Sequence, residues 1–226
     1  RQRQMCIRDS QLYKTQTDKN ILCNEIFLSY GLYNEVIFSN KNTKLWVQKI
    51  KSEFRLGNYH NVIDLSRKIL KSDVSIDILL ETLYYLSSAL YYECNYEEAI
   101  KIAKKCVAVG LEINDMDFYL NSLINLASIQ YVYASTLTNE DKREKLLNSA
   151  QQKYNIVQKR AEGINIEAKA NALWGLGDLN RYRGHLQEAL NLLQESRIIL
   201  KKIGNTYAIE QLKKTIEEIE FENEQL

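Results

Sequence analysis

The sequence predicts an all-α fold built from stacked pairs of antiparallel helices, and three observations support this. A turn phrase recurs at Gly57–Val62, Cys94–Ala99 and Gly184–Ala189, with a turn residue first, a bulky apolar residue two positions later and a small or branched residue three after that. Apolar residues recur at helical spacing, whereas period-two alternation is not sustained. Proline is absent from all 226 residues, which favours long helices joined by short turns.

The first ten residues, RQRQMCIRDS, differ in character from the rest of the chain. The run MCIRDS is similar to the translated end of a transposase adapter used in sequencing libraries. We therefore expect residues 1–10 to be non-native and the natural start of the protein to be missing. Without the three arginines and one aspartate of this segment, the net charge changes from +1 to −1. Such a near-neutral chain predicts no direct binding to nucleic acid.

The cysteines and the hydropathy of the remaining chain predict a cytoplasmic protein without a membrane span. Cys23, Cys94 and Cys106 are odd in number and lack C-x-x-C spacing, which favours reduced thiols over a disulfide framework or a zinc site. The most apolar early stretch, residues 20–39, is interrupted by asparagine and glutamate. It therefore predicts neither a transmembrane helix nor the core of a signal peptide.

Helical periodicity and turn signals together divide the chain into about ten helices. Gly, Asn and Asp turn signals lie between the helices, and the connections are short enough to make neighbouring helices antiparallel. The predicted helices are 20–38, 43–56, 59–71, 76–93, 96–112, 116–136, 140–161, 165–183, 186–203 and 206–224.

The clearest pair, Leu173–Leu200, resembles a tetratricopeptide (TPR) repeat. Leu176 and Gly177 are similar to the paired leucine and glycine of the first helix, and Ala189 is similar to the signature alanine of the second. We expect Gly177 and Ala189 to lie where two helices approach too closely for a larger side chain. The resemblance implies a right-handed superhelix, an α-solenoid of about four to five antiparallel helix hairpins plus a C-terminal capping helix.

The other copies are less regular. Leu83–Leu111 keeps the turn and the alanine, Trp46–Leu70 has Val62 in place of the alanine, and the copy between Ala127 and Ala150 carries about eleven extra residues. We predict a degenerate first hairpin or half-repeat at 11–42, TPR-like repeats at 43–204 and a capping helix at 205–226. The capping helix has an apolar stripe and a glutamate-rich outer face, as the end of a repeat stack requires.

The sequence carries no catalytic signature. The two histidines, His60 and His185, each lie in the turn between the helices of a different pair. The run Gly175–Gly177 begins like a dinucleotide fingerprint, but it lacks the third glycine and a preceding strand, so we assign it to helix packing. We expect a protein that is not an enzyme and that has no catalytic residue, metal site or cofactor.

The resemblance implies that a ligand lies on the concave surface formed mainly by the first helix of each pair. Tyrosine and tryptophan offer large contact areas with a polar handle, and an asparagine amide matches an extended peptide backbone. The predicted groove residues are Lys51, Arg55, Tyr84, Ser88, Tyr91, Asn121, Asn125, Ser128, Asn171, Trp174, Asp178 and Arg181.

The repeats also resemble the peptide-sensing TPR regions of cytoplasmic regulators in low-GC bacteria. This resemblance implies a peptide- or protein-binding module in a larger regulatory protein, with a DNA-binding domain upstream. Two alternatives stay open: a constitutive assembly scaffold or adaptor, and the repeat tail of a multidomain signalling ATPase. A homodimer is a further form of association that the sequence allows.

Overall fold

The computed structural model describes residues 16–35 and 43–224. This part of the chain consists of ten α-helices and a short 3₁₀ helix at Tyr33–Glu35, with no β-strand in it. The last nine predicted helices agree with the structure to within two residues at each end. The helices are α1 (Gln16–Ser29), α2 (Thr43–Arg55), α3 (Tyr59–Ile69), α4 (Ile76–Tyr92), α5 (Tyr96–Glu112), α6 (Met116–Ser135), α7 (Glu140–Arg160), α8 (Ile166–Tyr182), α9 (Leu186–Lys202) and α10 (Thr206–Glu224).

The first helix is the exception, because the prediction of one helix over 20–38 is wrong. The observed helix α1 ends at Ser29. Gly31 follows it with a φ of 72°, and the Leu32 N–H donates to the Phe27 carbonyl at 2.8 Å. This is a Schellman motif, which ends a helix at a residue in the left-handed conformation. The last three residues of the predicted helix lie outside the described part of the chain.

The same stop motif explains the recurring turn phrase. The residue after each turn residue donates its backbone N–H to the carbonyl five positions earlier, at 2.9–3.1 Å. The bulky apolar residue of the phrase then begins the next helix. Five turn residues with φ between 57° and 79° show this arrangement: Gly57, Cys94, Asn114, Gly184 and Gly204.

Cys94 is a site where a stabilising substitution can be predicted. Its φ of 58° is unfavourable for any residue with a Cβ, whereas glycine adopts this conformation without steric cost. We expect Cys94→Gly to raise the free energy of unfolding by about 0.5–1 kcal/mol, measured by urea denaturation. The matched control is Gly184→Ala at the equivalent position, which should lower it by about 1 kcal/mol. A loss of stability in Cys94→Gly would contradict this explanation of the turn.

The chain divides into two compact units, residues 1–102 and 103–226. In the first unit, leucine and isoleucine side chains of α2, α3 and α4 are almost completely buried: Leu45, Ile50, Ile69, Leu86 and Leu90. The second unit has two apolar clusters. One joins α6 and α7 to one face of α8, and the other joins the opposite face of α8 to α9 and α10. Helix α8 is therefore packed on both sides.

Two glycines allow the close packing of α8. A Cβ added at Gly177 would lie 2.5 Å from Cδ2 of Leu193 on α9, and one added at Gly175 would lie 2.3 Å from Cζ of Tyr154 on α7. Ala189 is completely buried. These contacts confirm the prediction that Gly177 and Ala189 mark a close helix–helix approach and that the Gly175–Gly177 run serves packing.

The capping helix α10 has the predicted apolar stripe. Leu212, Ile216 and Ile219 are buried against α8 and α9, and Ile209 is half-buried beside them. Burial of such a stripe removes apolar surface from water and fixes the helix on its neighbour. The glutamates at 217, 218, 220 and 222 remain exposed on the other faces.

Candidate functional site

A pocket of about 260 Å³ lies among α6, α7 and α8, within the second unit. On α8, the residues at 171, 174, 175 and 178 share one face because they are three, four and seven positions apart. On α6, the residues at 124 and 128 share a face for the same reason. The pocket is lined by Ile124, Ser128, Tyr154, Asn171, Trp174, Gly175 and Asp178.

Tyr154 enters the pocket from the second helix of a pair. Its side chain is 2% exposed, and its ring lies against the backbone of Gly175, where a side chain would leave no room. Its hydroxyl lies 2.9 Å from the Ser128 hydroxyl. The repeat pattern did not predict this residue, because the groove of a TPR-like fold is expected to be lined mainly by first helices. The sequence signal that could have indicated Tyr154 was Gly175 in α8, since a glycine inside a helix leaves space for a large side chain from a neighbouring helix.

Asp178 gives the pocket an acidic group in an apolar setting. Burial raises the pKa of the Asp178 carboxyl to about 7, although the nearby charge of Arg181 and a hydrogen bond from Trp174 both lower it. Within the described ranges, no ion pair joins Asp178 to a basic side chain. The carboxyl group therefore changes its protonation state close to neutral pH.

Arg181 lies one turn beyond Asp178, but its guanidinium is engaged by the capping helix. It donates to Glu218 at 3.0 Å and to Glu222 at 2.6 Å. The Glu222 hydrogen bond is the main reason that the pKa of Arg181 is raised. Two glutamates of α10 thus hold the basic side chain that was predicted to face a ligand.

The remaining predicted residues of the second unit lie on α6. Asn121 and Asn125 are both half-buried and do not line the pocket. Apart from Arg181, six predicted residues lie in this unit. The structure brings four of them together in the pocket: Ser128, Asn171, Trp174 and Asp178.

In the first unit, the predicted basic and hydroxyl residues have other partners or positions. Lys51 forms an ion pair with Glu81 at 2.8 Å, and Arg55 is exposed. Ser88 is 7% exposed and donates to the Tyr84 carbonyl at 3.0 Å. Ser88 is therefore buried instead of surface-facing. Its hydroxyl can be buried there because it donates to the carbonyl four residues earlier in the same helix.

The tyrosines of the first unit form an aromatic cluster. Tyr59 and Tyr92 are stacked with ring centroids 4.4 Å apart, and Tyr91 packs edge-on against Tyr92 at 5.0 Å. Tyr84 contacts Tyr85 in the same geometry at 5.8 Å. Edge-to-face and offset-stacked pairs stabilise helix packing. Tyr84 and Tyr91 are each half-buried, so part of each side chain has a packing role.

The described residues show no metal-binding cluster, no disulfide and no membrane-spanning helix. Residues 16–35 and 43–224 contain no group of three or more His, Cys, Asp or Glu side chains that could hold a metal ion. None of the cysteines at 23, 94 and 106 forms a disulfide with another described residue. In the same ranges, no helix combines the length and the apolar character needed to cross a membrane.

Comparisons with known proteins identify the fold. No protein-family model and no curated protein matches the sequence. Among solved structures, the apo form of RapI is similar with a TM-score of 0.57 and 13% identity, over 92% of this chain and 72% of that one. The nearly identical TPR-like repeats of a Podosopora anserina kinesin light chain are similar with a TM-score of 0.54 and 16% identity, over 91% of this chain and 95% of that one. These likenesses confirm the predicted all-α, TPR-like repeat fold.

Proposed function

We propose that this TPR-like chain is a non-catalytic module that binds a peptide or protein segment, and that the pocket among α6, α7 and α8 is a main contact. The observation that carries the proposal is the convergence of Ser128, Asn171, Trp174 and Asp178 on one pocket. The repeat pattern alone predicts these four residues as groove-facing. Concave sites with an apolar wall and a few convergent polar groups are typical ligand sites.

The chemistry of the pocket suits a peptide. The Asn171 amide has both a donor and an acceptor, so it can pair with a backbone carbonyl and a backbone N–H of an extended segment. Trp174 is half-buried and supplies a rigid apolar surface that loses little rotamer entropy on binding. The hydroxyls of Ser128 and Tyr154 are already bonded to each other, which holds the pocket wall in place before a ligand arrives.

We further propose that the module is the sensor or interaction region of a larger cytoplasmic regulatory protein of a bacterium. The resemblance of its repeats to peptide-sensing TPR regions supports this role. A ligand that binds one conformation of the helix pairs more tightly would shift the population towards it. A constitutive scaffold or adaptor, and the repeat tail of a signalling ATPase, are the alternatives, and peptide binding that depends on the pocket separates the sensor from the scaffold.

The binding test uses the full chain and a phage-displayed random peptide library. Selected peptides would be synthesised with a fluorophore and titrated by fluorescence anisotropy. We expect Asn171→Ala and Trp174→Ala each to weaken binding at least about tenfold, because each removes a contact at the centre of the pocket. Asn125 lies on the same face of α6 as Ser128 but outside the pocket, so Asn125→Ala should weaken peptide binding less.

The matched control is Gln194→Ala, which changes an exposed residue of the second helix α9. It should leave the affinity within about twofold of the unchanged chain. Peptides whose affinity depends on Gln194 and not on Asn171 or Trp174 would contradict the pocket proposal. That result would favour a scaffold that presents its second helices to a fixed partner.

A further inference from the structure

We propose that the pocket among α6, α7 and α8 holds a cationic group of the ligand, an ammonium or a guanidinium, with the Asp178 carboxylate as its counter-ion. This inference rests on the proposed peptide-binding function and specifies one feature of the ligand. The shared chemistry is a positive charge on a short aliphatic stem. Such a group can come from a lysine or arginine side chain or from the amino terminus of a peptide.

The charge of the pocket supports a cation. Asp178 is the single ionisable acid in the lining, and no lysine, arginine or histidine lines the pocket. The basic group whose charge lowers the pKa of Asp178 is Arg181. Glu218 and Glu222 hold that guanidinium, so two carboxylates offset its positive charge. An ionised Asp178 therefore leaves the pocket with an uncompensated negative charge.

The shape and the lining of the pocket also suit this occupant. Ile124, the Tyr154 ring and Trp174 form apolar walls along which an aliphatic stem can lie. The Trp174 face can attract a cation through its π-electrons. The side-chain oxygens of Asn171 and Ser128 can accept N–H bonds from a charged head group that reaches Asp178.

The energetic reason is the cost of burying an unpaired carboxylate. Partial burial without a cation raises the pKa of a carboxyl group, because the charged form loses hydration. A bound cation stabilises the carboxylate and lowers that pKa again. A cation with a fixed charge must therefore displace the proton from Asp178 when it binds below neutral pH. Its affinity should rise as the pH increases and should become constant once Asp178 is ionised.

The other charged and titratable groups around Asp178 do not produce the same dependence. Arg181 on α8 keeps its charge through this range, and burial raises the pKa of Tyr131 on α6 to about 12. Tyr154 on α7 is a phenol with its hydroxyl paired to Ser128. Glu218 and Glu222 of α10 form ion pairs with Arg181, and hydrogen bonding to Arg181 lowers the pKa of Glu222.

The test uses n-butylguanidinium as the cationic probe and n-butylurea as its neutral isostere. The indole N–H signal of Trp174 reports binding in nitrogen-15 spectra, and the signal of Trp46 in the other unit serves as an internal reference. We expect a saturable shift of the Trp174 signal with n-butylguanidinium, and binding of n-butylurea at least about tenfold weaker. Between about pH 5.5 and pH 6.5 the affinity for n-butylguanidinium should rise by up to about tenfold, and above about pH 8 it should be constant.

Two further arms identify the source of the cation and the role of Asp178. Tighter binding of n-butylammonium than of alaninamide would indicate a side chain, and the reverse would indicate a peptide amino terminus. In Asp178→Asn, the preference for guanidinium over urea and the pH dependence should both be lost. The pH series on the unchanged chain tests the same point even if this variant folds poorly.

The inference is overturned if n-butylurea shifts the Trp174 signal at the same concentration as n-butylguanidinium, or if neither probe binds. The library selection separates this failure from failure of the proposed function. If selected peptides depend on Asn171 and Trp174 but lack a basic residue, peptide binding stands and the cationic subsite does not. If no peptide depends on the pocket, the proposed function itself is wrong.

Discussion

Gly175→Ala is expected to lower the free energy of unfolding by about 2–3 kcal/mol, even though alanine is the better helix former. The added Cβ would lie 2.3 Å from Cζ of Tyr154 and 2.5–2.7 Å from two further ring atoms. The ring is 2% exposed and sits between helices, so it cannot move aside without displacing its neighbours. The substitution should also disturb the Ser128–Tyr154 hydrogen bond and with it the wall of the pocket.

Urea denaturation of four variants tests this prediction. Gly110→Ala is the matched control inside a helix, since its Cβ would approach its nearest neighbours only to 3.0–3.1 Å. It should stay within about 1 kcal/mol of the unchanged chain, because helix propensity offsets the milder contact. In a Tyr154→Ala background, Gly175→Ala should cost less than about 0.5 kcal/mol, which gives a coupling of about 2 kcal/mol between the two sites. An additive result would show that the ring is not what excludes a side chain at Gly175.

Asp178 should make the chain less stable as the pH rises from about 4 to about 7. Burial holds the pKa of the folded carboxyl near 7, against an ordinary value of 3.8. In that range the folded chain retains a proton that the unfolded chain has released, so increasing pH favours unfolding. The loss should amount to on the order of 3 kcal/mol and should be complete slightly above pH 7.

The measurement compares the free energy of unfolding of the unchanged chain and Asp178→Asn at about pH 5 and about pH 8. The asparagine keeps the shape of the side chain but cannot ionise, so the variant should be more stable by about 3 kcal/mol at the higher pH. All other carboxyl groups are common to both proteins, so their contributions cancel in the difference. Asp141→Asn, at an exposed position of α7, is the matched control for replacement of an aspartate by asparagine. If the free energy of unfolding changed equally between the two pH values in the unchanged chain and in Asp178→Asn, the raised pKa of Asp178 would be contradicted.

These two predictions concern one pocket of which the sequence revealed only a part. The repeat register selected Ser128, Asn171, Trp174 and Asp178, because first-helix positions of a TPR-like pair are set by helical periodicity. The register could not show that Asn121 and Asn125 lie outside the pocket, since both share a face of α6 with Ser128 and only the packing of α7 and α8 sets the limits of the pocket. It also missed Tyr154, which reaches the pocket only because Gly175 on another helix has no side chain.

What the sequence determined is local. The ends of α2, α4, α5, α8 and α9 follow from turn residues that adopt the left-handed conformation, and the buried stripes follow from the 3.6-residue period. The stop at Gly31 obeys the same rule, and the prediction of a helix over 20–38 was wrong because apolar residues continue in the sequence beyond this glycine.

Only the tertiary structure decided which side chains meet. Tyr154 pairs with Ser128 26 positions earlier, and Arg181 reaches Glu222 41 positions later. Hydrogen bonds within a helix join residues four positions apart, so each helix can be predicted from its own segment. Contacts between helices depend instead on their separation and crossing, which the whole packed set of side chains determines. For that reason only the folded chain shows the raised pKa of Asp178, the ion pairs of Arg181 with two glutamates and the position of Tyr154.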